Sequence, residues 1–208
     1  MNWDGFGPLI LPYAPTLSAP LMKQAVRKAA IEFLAYTKAW QAELTPIVGN
    51  GVLTDFAFPV PADAAVEKLL AVDVKDLYGN NTQATVCTSL RGNRLIRQNA
   101  RDLLAFTKDA TTLTVRPAQP ATSQIVATVA LKPTMAASTL PDEVFEQYGT
   151  DIANGALQSL LAMANKPWAD LTTARIAAAE FINAKAVTAR KVERGLASNA
   201  RTCAIRWY

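Results

Sequence analysis

Residues 18–46 read SAPLMKQAVRKAAIEFLAYTKAWQAELTP, and the period inside this stretch decides the fold class. Leu21, Met22, Ala25, Val26, Ala29, Ala30, Phe33, Leu34, Thr37 and Trp40 recur at three- and four-residue spacing, with Lys23, Arg27, Lys28 and Glu32 between them. That spacing puts the apolar set on one helical face and the charges on the other. Ser18 supplies an N-cap, and Pro20 is tolerated in the first turn, where its missing amide hydrogen costs nothing. The pattern predicts an amphipathic helix of about seven turns ending near Leu44 and Pro46.

Downstream the period changes. From Ile47 to about Lys132 short β-like runs lie between turn residues: Val52 to Val60, Leu69 to Val74, a tight turn at Tyr78-Gly79-Asn80-Asn81 into Thr82 to Leu90, then Thr111 to Arg116, a Pro117 to Pro120 turn, and Gln124 to Leu131. The segment from Asn93 to Asp109 is ambiguous. Such strands make a small antiparallel sheet or sandwich inserted between helices. Helical spacing returns at Pro141, with Asp142 and Glu143 complementing the dipole of a first turn. Val144, Phe145, Tyr148, Ile152, Ala156, Leu160, Leu161 and Met163 form one face. After Lys166-Pro167-Trp168, a proline that ends one helix and a tryptophan that wedges the joint, a third helix runs from about Asp170 to Leu196. It carries Ile176, Ala179, Phe181, Ile182, Ala186 and Val187. The predicted class is α+β: a bundle of three long helices with an inserted antiparallel β-rich subdomain and extended terminal arms. The predicted divisions are an arm over 1–17, a helical domain from 18–46 and 139–196, a β-rich insertion over 47–135, and a tail over 197–208.

Upstream, Gly5 to Met22 is uncharged over 18 residues, but Pro8, Pro12, Pro15 and Pro20 break any membrane span, so the stretch reads as an extended arm. Met1-Asn2-Trp3-Asp4 lacks the basic start of a secretory signal. The chain has 208 residues, half of them hydrophobic, which supports a core burying roughly 70% of the unfolded surface. It has no histidine, which excludes Ser-His-Asp and Cys-His nucleophile activation. Cys87 and Cys203 stand far apart in no metal-binding spacing and read as reduced, buried thiols. Asp73/Asp76 and Asp142/Glu143/Glu146 sit in no catalytic motif and read as solvated acids. No phosphate-binding loop or nucleophile elbow occurs. Neither an enzyme nor a cofactor or metal site is expected.

The charge is uneven. Residues 1–184 hold 15 Lys and Arg against 16 Asp and Glu, whereas 185–208 hold six against one, so the formal +4 resides in the closing segment. Arg190, Lys191 and Arg194 precede a polar linker to Arg201 and then Ile205-Arg206-Trp207-Tyr208. The helix dipole accounts for the first three, but not for an aromatic ending, and Trp, Tyr and Arg dominate interface energetics. This segment is the candidate docking element. Phosphate neutralisation with aromatic stacking is the alternative, without any DNA-binding motif to accompany it. Arg91, Arg94, Arg97 and Arg101 align on one face if their segment is helical, and otherwise form a solvated loop.

The succession is more informative than any single residue. The Ala-rich helix LMKQAVRKAAIEFLAYTKAW (21–40), LTVRPAQP (113–120), Leu131-Lys132-Pro133-Thr134, Leu140-Pro141-Asp142, YGTDIANGALQSLL (148–161), Lys166-Pro167-Trp168 and FINAKAVTA (181–189) follow in an order that resembles the head-to-tail adaptor proteins of tailed bacteriophages. The resemblance spans about residues 18–195. It implies a virion protein of the neck, assembled in the host cytoplasm as a ring, commonly of twelve copies, beneath the portal protein. It also implies a β-rich part facing a tail or nozzle protein, genomic DNA passing through the channel without sequence-specific binding, and no membrane. Arg201 to Tyr208 match the portal-docking extension, and Arg190, Lys191 and Arg194 match the helix leading into it.

Overall fold

A computed structural model of the protein describes residues 1–86, 103–109 and 111–194. Cys87, Cys203, the arginines at 91, 94, 97 and 101, and the whole tail from Arg201 to Tyr208 lie outside the described residues. The class is α+β: among the described residues four α-helices and two β-sheets surround two hydrophobic cores.

Helix α2 (Ala19–Thr37) buries Met22, Ala25, Val26, Ala29, Ala30, Phe33, Leu34 and Thr37, the face its spacing predicts. It stops at Thr37, about two turns before Leu44. Thr37 Oγ1 donates back to the Phe33 carbonyl at 2.8 Å, and Lys38 turns left-handed at φ 55°, its amide closing on the Leu34 carbonyl. The residues beyond are recruited instead as a strand, β1 (Gln41–Glu43), on the edge of a sheet. Trp40, which kept the helical spacing in sequence, sits at the joint and packs against both cores.

The first 17 residues do not extend as an arm. A 3-10 turn (Trp3–Phe6) and a short helix α1 (Gly7–Ile10) fold them onto the helical core. Trp3, Phe6, Ile10, Ala14 and Leu17 recur at three- and four-residue spacing and are all buried; the prolines fall between them at positions that need no amide hydrogen bond. Trp3 Nε1 donates to the Ala137 carbonyl at 2.8 Å, and Phe6 meets Phe145 edge-on at 4.9 Å. Helices α3 (Asp142–Leu161) and α4 (Leu171–Arg194) complete this core, α3 packing on both α2 and α4.

The second core lies between two sheets. One runs β1–β9–β4–β5, with β2 (Ile47–Val48) further along the same edge of β9 (Gln124–Pro133); the long partner of β9 is β4 (Ala64–Lys75), followed by β5 (Asn81–Gln83). The other runs β3 (Asp55–Ala57), β8 (Thr112–Arg116), β7 (Leu104–Asp109), β6 (Thr85–Val86). Among the described residues all strand pairings are antiparallel except β6 with β7, which departs from the expected antiparallel arrangement. A parallel pair needs a crossover of a dozen or more residues, and residues 87–103 provide that length. The expected strand from Thr82 to Leu90 is split because the chain changes sheets at Ala84, whose amide still bonds to Val72 in the first sheet while Thr85 bonds to Leu103 beside the second. The expected strand from Val52 to Val60 shrinks to β3, because Asn50 Oδ1 holds the Val52 and Leu53 amides in a turn and Pro59 and Pro61 lack donors. By contrast β4 exceeds its predicted span, with two bulges, at Glu67 and at Leu70, that keep Val66, Leu69 and Val72 all inward.

The two cores are latched beside Trp40. Asp63 Oδ2 accepts hydrogen bonds from the amides and hydroxyls of Ser138 and Thr139, at 2.7 to 3.2 Å, holding the start of β4 against the linker into α3. These bonds, led by the Ser138 hydroxyl, hold the carboxyl below the usual aspartate range.

Candidate docking interface

Helix α4 carries the described part of the sequence-derived docking element. Its start is fixed by Asp170, whose Oδ1 accepts the Thr172 and Thr173 amides at 2.9 and 3.2 Å. That satisfies two of the orphan donors of a first turn. Asp170 is correspondingly held below the ordinary carboxylate range, chiefly by the Thr173 hydroxyl. Lys166 lies over the Trp168 ring at 6.0 Å, and Trp168 is half-buried against the helical core, as a wedge in the helix pair should be.

The grip on the helix is at Phe181. Its ring is fully buried and stands where Gly155 of α3 leaves room: a Cβ there would come within 2.6 Å of the ring edge. Phe33 of α2 contacts the same ring at 6.1 Å between centroids. One turn on, Lys185 Nζ lies 4.4 Å over the Phe181 ring and pairs with Glu32 of α2. Beside this contact Asn154 donates to Glu180 at 2.8 Å. Asp151 is pushed above the usual aspartate range by desolvation and then by the Glu180 charge. Desolvation also raises Tyr148, with Asp151 adding to it. This acidic pair was not singled out from the sequence, where nothing marks two carboxylates 29 positions apart as neighbours.

The side of α4 away from Phe181 overturns part of the sequence reading. The buried positions are Ala174, Ala177, Phe181 and Thr188, while Ile176, Ile182 and Val187, read from the sequence as the helix's apolar residues, stand in solvent with Leu171, each more than half exposed. Residues eleven apart share a helical face, so Leu171 with Ile182 and Ile176 with Val187 form two apolar stripes flanking the buried one. The helix packs its small residues and exposes its branched ones. Alanines all round it make the faces indistinguishable by pattern, which is why periodicity did not separate them.

At the C-terminal end Arg190, Lys191 and Arg194 are exposed, and among the described residues none of them forms an ion pair. The structure thus presents these three together on the last turns. Arg201, Ile205, Arg206, Trp207 and Tyr208 are outside it. Of the sequence-derived acids, Asp142 pairs with the N-terminal ammonium, and Asp76 caps the β4–β5 turn. Among the described residues no cluster of three His, Cys, Asp or Glu residues forms a metal cage, and no helix is long and apolar enough to cross a membrane. No protein-family model matches this chain, and a search of curated proteins finds no significant relative.

Proposed function

We propose that the protein is a ring-forming head-to-tail adaptor of a tailed phage. In this reading its three long helices form a bundle carrying the β-rich insertion, and copies sit side by side in the virion neck. The basic end of α4 and the tail beyond it dock on the portal protein through Arg190, Lys191, Arg194, Arg201, Ile205, Arg206, Trp207 and Tyr208. The ring extends the DNA channel and gives the tail or nozzle protein its platform. The work is structural rather than enzymatic.

The observation that carries this reading is the exposed surface of α4, where Leu171, Ile176, Ile182 and Val187 stand in solvent and the helix ends in three cations that form no ion pair among the described residues. Exposed apolar side chains grouped on one element suit an interface, and cations beside them steer a partner of opposite charge. The order of motifs along the chain supplies the identity of that partner. Deleting Ala200 to Tyr208 is expected to abolish co-sedimentation with portal rings while leaving the circular dichroism spectrum helical. Portal binding at full strength by the truncated chain would refute docking through the tail. The same basic end suits phosphates; a steep salt-dependent affinity of the isolated chain for duplex DNA would favour a nucleic-acid-binding accessory role instead.

A further inference from the structure

The end of the β-sandwich farthest from the helices is made by three turns, 49–53 after β2, 76–80 between β4 and β5, and 117–123 between β8 and β9. They leave the sheets side by side. Val48 and Lys75 both pair with Gln124, the first residue of β9, and Gly49 and Gly51 donate to Ser123 and Gln119 at 3.0 and 2.8 Å. In a chain that is 18% charged, residues 44–54, 77–84 and 117–124 carry no charge at all. Val48, Val52, Leu53, Leu77 and Tyr78 are nevertheless exposed there, Tyr78 to 90%. Scattered single apolar residues are ordinary, but a charge-depleted patch with an aromatic at its apex has the composition of an interface core.

The turn that carries Tyr78 is tied by its own hydrogen bonds. Asp76 Oδ1 accepts the Tyr78 and Asn80 amides at 2.8 and 2.9 Å, its Oδ2 accepts Asn80 Nδ2 at 2.8 Å, and Gly79 takes φ +80°. A backbone held in this way has less entropy to lose when the prong binds. Beside it opens a cleft of about 300 Å³ whose lining includes Val74, Asp76, Pro117, Gln119, Pro120, Thr122 and Ser123. It offers apolar walls for a ring and hydroxyl and amide groups for a phenol. Tyr78 does not fill this cleft in its own chain. One surface therefore carries both a knob and a hole; among the described residues Asp76 is the one charged side chain in the wall of the hole, its carboxylate already accepts from the Tyr78 and Asn80 amides and from Asn80 Nδ2, and the uncharged Tyr78 prong brings no like charge against it.

We infer that Tyr78 of one copy seats in the cleft between Val74 and the 117–123 turn of the next, making this charge-poor end a contact between copies. Knob-into-hole contacts of this heterologous kind close into rings when the rotation permits. The inference rests on the adaptor reading only for that closure.

Sedimentation velocity of the full chain across tens of micromolar, with Tyr78→Ser, Thr122→Trp and their equimolar mixture, tests it. Both positions are exposed turn residues, so unchanged circular dichroism spectra establish that each variant is folded. The unsubstituted chain is expected to assemble with concentration. Each variant alone is expected to need at least about tenfold more protein, and the mixture to give a one-to-one dimer, since it keeps one intact prong and one intact cleft. An unsubstituted chain that stays monomeric, variants that assemble unchanged, or a mixture that fails to pair would each overturn the inference. Adding portal rings separates the two claims: docking with Tyr78-independent assembly removes this contact alone, whereas Tyr78-dependent assembly without docking removes the adaptor reading alone.

Discussion

Gly155 and Phe181 are the pair on which the helix packing turns. A Cβ at position 155 would fall 2.6 Å from the Phe181 ring, and the ring is fully buried with no free side to retreat to. Gly155→Ala is therefore expected to destabilise the fold by about 1–3 kcal/mol despite the better helix propensity of alanine. Phe181→Ala, which leaves a cavity, is expected to cost about 3–5 kcal/mol. Urea denaturation midpoints check both. Two carboxylates give opposite pH responses. Asp63 is held low by the Ser138 and Thr139 bonds, so its stabilisation is complete above the ordinary aspartate range and is lost as pH falls through its depressed value; Asp63→Asn should flatten the acid limb of a stability–pH curve. Asp151 is raised by desolvation and by Glu180, so its ionisation opposes folding above that raised value. Thermal melts of Asp151→Asn should show a higher midpoint at pH 7 and no gain at pH 3, where the native carboxyl is already protonated.

At the scale of elements, α2 shows what sequence could and could not reveal. Its buried face followed from spacing alone, because eight apolar or small side chains at the helical period have one way to meet a core. Its end did not, because Trp40 and Leu44 continue that period while a partner strand 85 to 89 residues away, β9, claims Gln41–Glu43. Long-range strand pairing outweighs local pattern wherever both can be satisfied. The same limit applied at the N-terminus in reverse: prolines argued for an arm, while Trp3, Phe6, Ile10, Ala14 and Leu17 were spaced to be buried. Lys38, left-handed at φ 55° at the end of α2, is a position that glycine suits better. Lys38→Gly is expected to raise stability by about 0.5–1 kcal/mol, read as a shift of the urea midpoint at constant slope. On α4, charge reversal at Arg190, Lys191 and Arg194 is expected to slow association with portal rings and to remove most of its salt dependence, with the dissociation rate changing less. Stopped-flow or surface-binding kinetics at two salt concentrations measure this. An unchanged on-rate at low salt would take the basic end out of the docking step.

Across the whole molecule, two cores are joined by the packing of α2 on β9, the chain crossing at Trp40, the Asp63 latch and the linker from β9 into α3. The sequence divided the chain by a change of period, which is visible because helical and β spacing differ. The strand order, the sheet change at Ala84 and the exposed stripes of α4 were not visible, because each depends on residues distant in sequence. The net charge acquires its meaning at this scale too: a nearly neutral body, a charge-poor β end and a basic α4 terminus are three different surfaces of one chain. In the adaptor reading they serve different neighbours. Electron-microscopy class averages of the full chain mixed with isolated portal rings test that central claim most directly: the account predicts an added ring of density on one face of the portal, lost with the Ala200 to Tyr208 deletion, and portal rings indistinguishable from those without the protein would contradict it.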